Sequence, residues 1–476
     1  MTANGTQRRV LVIGGGGAGL SAALEARKAG AEVMLVDTAQ QVGGATALSG
    51  GIVYAADTDV QKQAGVSDTK EELFAYYMTI SHYRLEPRLI RTLVEGSQEV
   101  VGWLKGYGVT FDPKGLYIAG LETRPRGHKP TGETGGLGPA GGAVIVNALL
   151  KAAKAAGVTI RENTRIVALS QTTSGIDART EGGESISAGA VVLATGGFGA
   201  SPEMLARFYP DATKHGEWHW YMGPPDNKGD GITMGLSLGG VVVNQNAGCL
   251  VETPNFQKVI DAFTPPWLVF VNLQGKRFIN EMASYCVLGS AIASQPGSRC
   301  YAIFDNAALS IATEDPKFTD PYGLGVALAS NWTSDILQKQ IRDRRIIQAA
   351  SLEDLASALK VPVENLKQTV QLWNDDVSQG QDSTFEKPPI MMLPISQPPY
   401  FAVDMRPAII GMTFTGLQID QNAKLLDGTG KPIPNVYAAG ELAAGVEDRI
   451  YPAGGTSVAT ALVFGRIAGI NAAKKG

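Results

Sequence analysis

Four consecutive apolar residues, Val10-Leu11-Val12-Ile13, run into the glycines Gly14 to Gly17. A run this short without polar alternation reads as a strand covered on both faces, as parallel sheets require. Leu20 to Lys28 then reads as an alanine-rich helix stopped at Gly30, and Glu32 to Val36 as a second apolar strand ending on Asp37. Ala143 to Ala156 predicts another helix, leading into a strand at Thr159-Ile160. Ala188 to Leu193 predicts a strand that enters Ala194-Thr195-Gly196-Gly197-Phe198-Gly199, and Asn435 to Ala438 repeats this pattern before Ala439-Gly440-Glu441. Ser457 to Ile470 predicts an apolar helix.

The alternation of strands and helices holds to about residue 255. From Pro265-Pro266 to Pro398-Pro399 the chain turns helical and proline-punctuated, with Leu352 to Leu359 and Val363 to Trp373 amphipathic, and from about 405 the strand and glycine pattern returns. One domain inserted into another explains the return. The expected architecture is α/β, with residues 1–255 and 405–476 forming one Rossmann-like domain and 256–404 an inserted α+β capping domain.

Composition narrows the chemistry. Glycine accounts for 58 of 476 residues without a G-X-Y period, and hydrophobic residues stand at 44%, so collagen and disorder are excluded. Glycine at this level marks tight turns or backbone brought close to a ligand. Cys249, Cys286 and Cys300 form no C-x-x-C pair, which leaves a disulfide scaffold, a zinc ribbon or an iron–sulfur cluster short of ligands. His215 and His219 are spaced i, i+4, but aromatic residues surround them without an acidic motif, so no metal is expected. A net charge of −4 offers no field to nucleic acid. No apolar run approaches the ~18 residues of a membrane span. Arg8-Arg9 before an apolar stretch has some character of an export signal, but that stretch reads better as a strand entering a phosphate loop, and the expected location is the cytoplasm.

Strand, glycine loop, helix, strand and acid together make a dinucleotide site. Gly14 allows the turn, Gly16 lets backbone approach a pyrophosphate, and Gly19 lets helix pack on strand. The helix N-terminus offers free N–H groups to the phosphates, and Asp37 can accept from ribose hydroxyls. The glycine segment Gly43 to Gly51 and the loops after Leu193 and Ala438 are more than a nicotinamide domain needs. Three distant loops converging on one ligand suit a long, extended cofactor.

On these segments, with Asn227 to Gly231, Gly275 to Tyr285 and Asn435 to Gly469, the chain resembles the fumarate reductase and succinate dehydrogenase flavoprotein superfamily, and within it the 3-ketosteroid dehydrogenases. The resemblance runs nearly end to end. It implies FAD, bound non-covalently because Gly43 to Gly51 lacks the histidine that carries flavin in covalent members. It assigns to the cofactor Gly14, Gly16, Gly17, Ala18 and Gly19, then Asp37 and Thr38. Gly43, Gly44, Thr46, Ala47, Ser49, Gly50 and Gly51 follow in the second loop. Ile166, Ala194, Thr195, Gly196, Gly197 and Asp230 come from the middle of the chain, and Gly440, Glu441, Ser457 and Val458 from its end. It also implies a substrate lying between the two domains.

Dicarboxylate reductases of this superfamily need arginines and histidines to clamp carboxylates and an arginine to donate the proton. Four residues after Glu281, where that arginine belongs, stands Tyr285. No histidine occurs at Ile410 to Met412, and Tyr451-Pro452-Ala453-Gly454-Gly455 replaces the C-terminal clamp arginine, although Arg449 lies two residues upstream. This argues against fumarate, succinate and aspartate. Oxidising a ketone at its α,β carbons requires donors to polarise the carbonyl oxygen and a base for the α proton. Tyr451 and the Gly455 N–H can supply the donors, and Tyr285 the base, while flavin takes the β hydride and passes its electrons to a separate, quinone-like or other acceptor. The resemblance implies this set, with Tyr117 as a supporting tyrosine. The expected activity is dehydrogenation of a cyclic ketone, a 3-ketosteroid foremost. The alternatives are a smaller cyclic ketone or keto acid of the oxocyclohexanecarboxylate type, with Arg124 and Arg126 gripping the carboxylate, and reduction of C=C in an unsaturated acid. Otherwise Arg124 and Arg126 read as solvated, and Trp218, Trp220 and Tyr221 as core or as pocket lining.

Overall fold

The computed structural model describes residues 8–254, 256, 264–311, 315–319 and 332–474. They fall into two units, one comprising Met1–Lys214, Gly223–Cys249 and Ile410–Gly476, the other His215–Met222 and Leu250–Ile409.

In the first unit the apolar run Val10 to Ile13, at most 5% exposed, lies inside a strand Arg9–Ile13 with parallel neighbours on both sides. Burial on both faces is what removed polar residues from it. The sheet runs Lys424–Leu426, Pro432–Ala438, Ala190–Leu193, Arg9–Ile13, Glu32–Val36, Thr159–Arg161, parallel throughout except for its first pair. Register aligns Ile13 with Val36 and Leu193, and Leu193 with Ala438. All the strands that end in the predicted loops therefore stop at one edge, the carboxyl edge where open α/β sheets bind ligands.

Two helices cover the central strands. Gly17–Lys28 starts directly after the first loop, and Thr456–Ala473 packs along it. Gly465 and Gly469 make that packing possible, because a Cβ on either would strike the main-chain oxygens of Ala18 and Ala22. Thr456–Ala473 is long and apolar enough to cross a membrane, but 67% of it is buried, as befits a core helix.

The second unit is built on a sheet ordered Trp220–Tyr221, Tyr400–Thr413, Cys300–Asp305, Val269–Val271, with Gly248–Thr253 and Ile347–Ala349 also on the long strand; Cys300–Asp305 pairs antiparallel with both its neighbours, and Ile410–Thr413 and Gly248-Cys249 are counted with the first unit. All six residues of Cys300–Asp305 are buried between two apolar layers, one around Trp267, Phe304 and Phe401, the other around Trp373 and Leu366. Helices form at Leu352–Leu359 and Val363–Gln379. The stretch that reads as helical thus carries a sheet as well, its strands being short and set among prolines.

Candidate active site

The loop after the first strand is shaped by close approach. Gly14 has φ 103° and a Cβ there would meet Ala194 O, so the first and middle loops touch through backbone. Gly440, at φ 83°, lies against Ala18, with only 3.0 Å for a Cβ, which brings the last loop to the same place. Gly16 differs from its neighbours. Its φ is −74°, and a Cβ on it would come no closer than 3.9 Å to any atom of the protein. The fold itself leaves room for a side chain at Gly16, whereas a pyrophosphate resting on the backbone at a helix N-terminus would not. Nearby, Gly17 N–H donates to Thr46 Oγ1 at 3.1 Å, tying the Gly43 to Gly51 segment to the same helix end.

Asp37 is held by backbone: Oδ2 accepts from Gly15 N at 2.5 Å and Oδ1 from Ala39 N at 2.8 Å. Burial raises its carboxyl above the ordinary value, with these two N–H groups working against the rise. Each oxygen keeps a lone pair for a ribose hydroxyl. Thr38 is exposed beside it. Ala47 is buried, Ser49 Oγ donates to Thr46 O at 2.8 Å and accepts from Gly51 N at 3.1 Å, and Gly43, Gly44 and Gly51 have positive φ. Gly50 borders Gly141. In the middle loop, buried Ala194 precedes Thr195, whose Oγ1 accepts from Gly231 N at 3.2 Å, and Gly196 and Gly197 pass against Asn227 and against Thr413 and Glu441. Glu441 Oε1 accepts from Thr413 N and Oγ1, both at 2.9 Å, while burial raises its carboxyl. Ile166 is buried at the start of its strand, and Asp230 is engaged by Arg165 through two bonds of 2.8 and 2.9 Å. The donors, the backbone-lined approach at Gly16 and the shared sheet edge fit a dinucleotide.

At the far end of the same unit, Tyr451-Pro452-Ala453-Gly454-Gly455 enters the helix Thr456–Ala473. Gly455 caps that helix at φ 101°, pressed to within 2.7 Å, for a Cβ, of Ile52. Its N–H donates to Tyr451 Oη at 3.3 Å, and Ser457 N–H donates to the same oxygen at 3.2 Å. The structure therefore brings Tyr451 and Gly455 together at a helix N-terminus. The Tyr451 ring is 3% exposed and stacks on Phe414 at 5.7 Å. Gly454 N donates to Ala119 O at 2.8 Å and Tyr76 Oη to Pro452 O at 2.6 Å. Tyr117 pairs with Gly127 on an isolated bridge, and Tyr76, in the helix Lys70–Ile80, puts its hydroxyl on this loop. The sequence gives Tyr76 no motif to mark it.

Beneath this loop Ser457 Oγ lies 2.6 Å from Glu447 Oε1. Burial pushes the Glu447 carboxyl up to about 8; Ser457 opposes the rise and Glu441 adds to it. Neither Glu447 nor its link to Ser457 is legible in a motif. Val458 follows, buried, in the same helix turn. Arg126 does not have the solvated position read for it: it is 3% exposed and forms two 2.7 Å bonds to Asp68. The buried carboxylate 58 residues away supplies the charge that lets it sit inside. Arg124, half-exposed, pairs with Glu72.

In the second unit Tyr285 opens the helix Tyr285–Ala293, whose first turn is capped by Ser284 Oγ accepting from Cys286 N at 3.3 Å. The turn before it is held by buried ion pairs. Arg277 makes paired bonds of 2.9 Å to Glu281 and 2.8 Å to Asp382, and Lys387 Nζ sits 2.7 Å from Glu281. Burial works to raise the Glu281 carboxyl, but Lys387 and Arg277 beside it hold it below the ordinary range. Asp382 and Lys387 lie about a hundred positions from the motif they complete, beyond the reach of local pattern. Trp218, Trp220 and Tyr221 are half-buried, Trp218 under the Arg406 guanidinium at 4.2 Å.

A family model described as FAD binding domain matches residues 9–458. The chain belongs to that flavoprotein family. It is a flavin-dependent oxidoreductase of C=C and CH–CH bonds, with FAD as cofactor. Probable fumarate reductase Ifc3 of Shewanella frigidimarina is 33% identical over 98% of this chain and 75% of its own length. Vinyl phenol reductase of Lactiplantibacillus plantarum is 28% identical over 98% of this chain and 96% of its own. The crystal structure of 3-ketosteroid-Δ4-(5α)-dehydrogenase from Rhodococcus jostii superposes with a TM-score of 0.79 at 26% identity, covering 100% of this chain and 99% of that one. The steroid branch expected from the two tyrosines is thus represented at lower identity than a fumarate reductase.

Proposed function

We propose that the enzyme reduces the C=C bond of an α,β-unsaturated carbonyl compound. The carrying observation is the pair formed by Tyr451 Oη and Gly455 N, 3.3 Å apart at a helix N-terminus, where carboxylate reductases place arginine. With the Gly455 and Ser457 N–H groups holding its oxygen, the Tyr451 hydroxyl can turn its proton to a carbonyl oxygen, which carries negative charge while the α carbon lacks its proton. When bound, the flavin, re-reduced by an external two-electron donor, would supply the two-electron exchange at the β carbon. Tyr285 gives or takes the proton at the α carbon, an assignment resting on its place four residues after Glu281. The reductase names among the relatives support reduction as the working direction.

The observation favouring a second reading, dehydrogenation of a cyclic ketone such as a 3-ketosteroid, is the tyrosine pair together with the likeness to the Rhodococcus enzyme. One experiment separates them. Anaerobically reduced protein is mixed with cyclic enones, a steroid dienone, a vinyl phenol, fumarate and acrylate, and oxidised protein with the matching saturated ketones, including oxocyclohexanecarboxylate, following the yellow absorbance. Rapid return of colour with enones, faster than with fumarate, supports the first reading. Bleaching by saturated ketones supports the second, and response to fumarate alone overturns both.

A further inference from the structure

Ser457 Oγ has two acceptors in reach, Glu447 Oε1 at 2.6 Å and Met412 Sδ at 3.1 Å. A hydroxyl has one proton and cannot donate to both. Both contacts become hydrogen bonds when the carboxyl donates to Ser457 and Ser457 donates to the sulfur, an arrangement open only to the neutral acid. Burial agrees, since it disfavours the charged form and puts the Glu447 carboxyl at about 8. Among the described residues no cation pairs with it. Glu441 is the charge that acts on it, and Tyr77, bonded to Thr456 Oγ1 at 3.4 Å, is affected by it. Arg84 is taken by Asp448 at 2.6 Å, Met412 and Thr413 carry no charge, and Asn244 Nδ2 holds the Glu447 main-chain oxygen at 2.7 Å.

We propose that Glu447 is a positioning residue for Tyr451: as the neutral acid it fixes Ser457, whose N–H with that of Gly455 holds the tyrosine hydroxyl, and its ionisation disables this carbonyl subsite. The proposal rests on Tyr451 as the carbonyl donor. A negative charge on Glu447 would oppose the positive helix end and the charge developing on the carbonyl oxygen.

The holoenzyme's kcat/KM is measured against pH with the carbonyl compound of that panel that reoxidises the reduced flavin fastest. Wild type loses activity about tenfold per pH unit above a midpoint near 8. In Glu447→Gln, which keeps a donor for Ser457 but cannot ionise, that limb is gone, whatever the rate at pH 7. A limb that stays near 8 in Glu447→Gln overturns the proposal. Infrared difference spectra supply a second arm that needs no substrate. A protonated-carboxyl stretch present in wild type at neutral pH, absent from Glu447→Gln, and shifted in Ser457→Ala and Tyr451→Phe supports the link. A missing or unshifted band overturns it. If wild type turns over no carbonyl compound, the functional reading fails while the infrared arm still decides the fate of Glu447.

Discussion

Replacing Tyr451 with phenylalanine removes one oxygen and keeps the ring that stacks on Phe414. Loss of a single donor to a developing oxyanion costs about 3 kcal/mol, or 10²–10³ in turnover. The same oxygen also accepts from Gly455 N and Ser457 N, at 3.3 and 3.2 Å. Those bonds are long and belong to first-turn N–H groups that a helix leaves without internal partners, so their loss costs about 1 kcal/mol of stability. In a chain of this length that shifts Tm by roughly 1 °C. The two effects therefore separate. Tyr451→Phe should retain FAD and nearly all its thermal stability while kcat/KM on the best carbonyl substrate falls at least about a hundredfold. Stopped-flow kinetics, FAD absorbance and a thermal scan on one preparation give all three. Turnover within about threefold of the parent would refute the donor role, because so small a change is far below the loss of one oxyanion donor. A collapse of Tm or FAD content would refute it equally, by showing the hydroxyl to be structural.

Gly16→Ala tests the cofactor cradle from the opposite side. With φ −74° and no protein atom within 3.9 Å, the variant should fold with unchanged Tm as apoprotein yet lose FAD affinity on the order of tenfold or more; equal affinity by fluorescence titration would contradict the site. Lys387→Met leaves Glu281 buried with one cation in place of two, and Lys387 also donates to Pro266 O and Leu268 O at 2.8 Å. A loss of about 3–5 kcal/mol in urea unfolding at pH 7 is expected, and an unchanged midpoint would refute it. Because Glu281 is held below the ordinary carboxylate range, its contribution is present above about pH 4.3 and lost as pH falls through the folded value. The gap between parent and variant should therefore shrink on acidification. Gly465→Val forces apart Thr456–Ala473 and Gly17–Lys28, with a stability loss of about 1–3 kcal/mol and parallel loss of FAD.

The fold was legible where burial writes a continuous signal. Val10 to Ile13 and Ala190 to Leu193 lack polar residues because both faces of these strands are buried; Gly14 follows the first where its backbone meets that of Ala194, and Gly196 and Gly197 follow the second where the Asn227, Thr413 and Glu441 side chains press on the loop. What stayed hidden depends on contacts between distant positions. Arg126 looks like a loop cation until Asp68 is placed beside it, and Lys387 like a surface residue until Glu281 is. Tyr76 and Glu447 carry no pattern at all, since one hydrogen bond from a helix side chain to a loop leaves no period in the sequence.

The charge around the carbonyl subsite argues for the kind of substrate. In the first unit the loop from Glu441 to Ser457 carries three carboxyls: Asp448 is paired with Arg84, while Glu441 and Glu447 are both pushed toward the neutral form by burial. Its donor is a phenol whose oxygen is held by two main-chain N–H groups, with Arg84 already committed to Asp448. Such a surface stabilises charge that appears late, on an oxygen beginning as a neutral carbonyl. It gives little to a carboxylate that arrives already charged and must be stripped of water, for which two fixed cations are the usual compensation. The same helix N-terminus that would bind an anion weakly therefore favours a transition state over a ground state, and this is the condition for raising kcat instead of tightening binding. On that argument a neutral enone should outpace fumarate chiefly in kcat, and adding a carboxylate to the enone should change KM more than kcat.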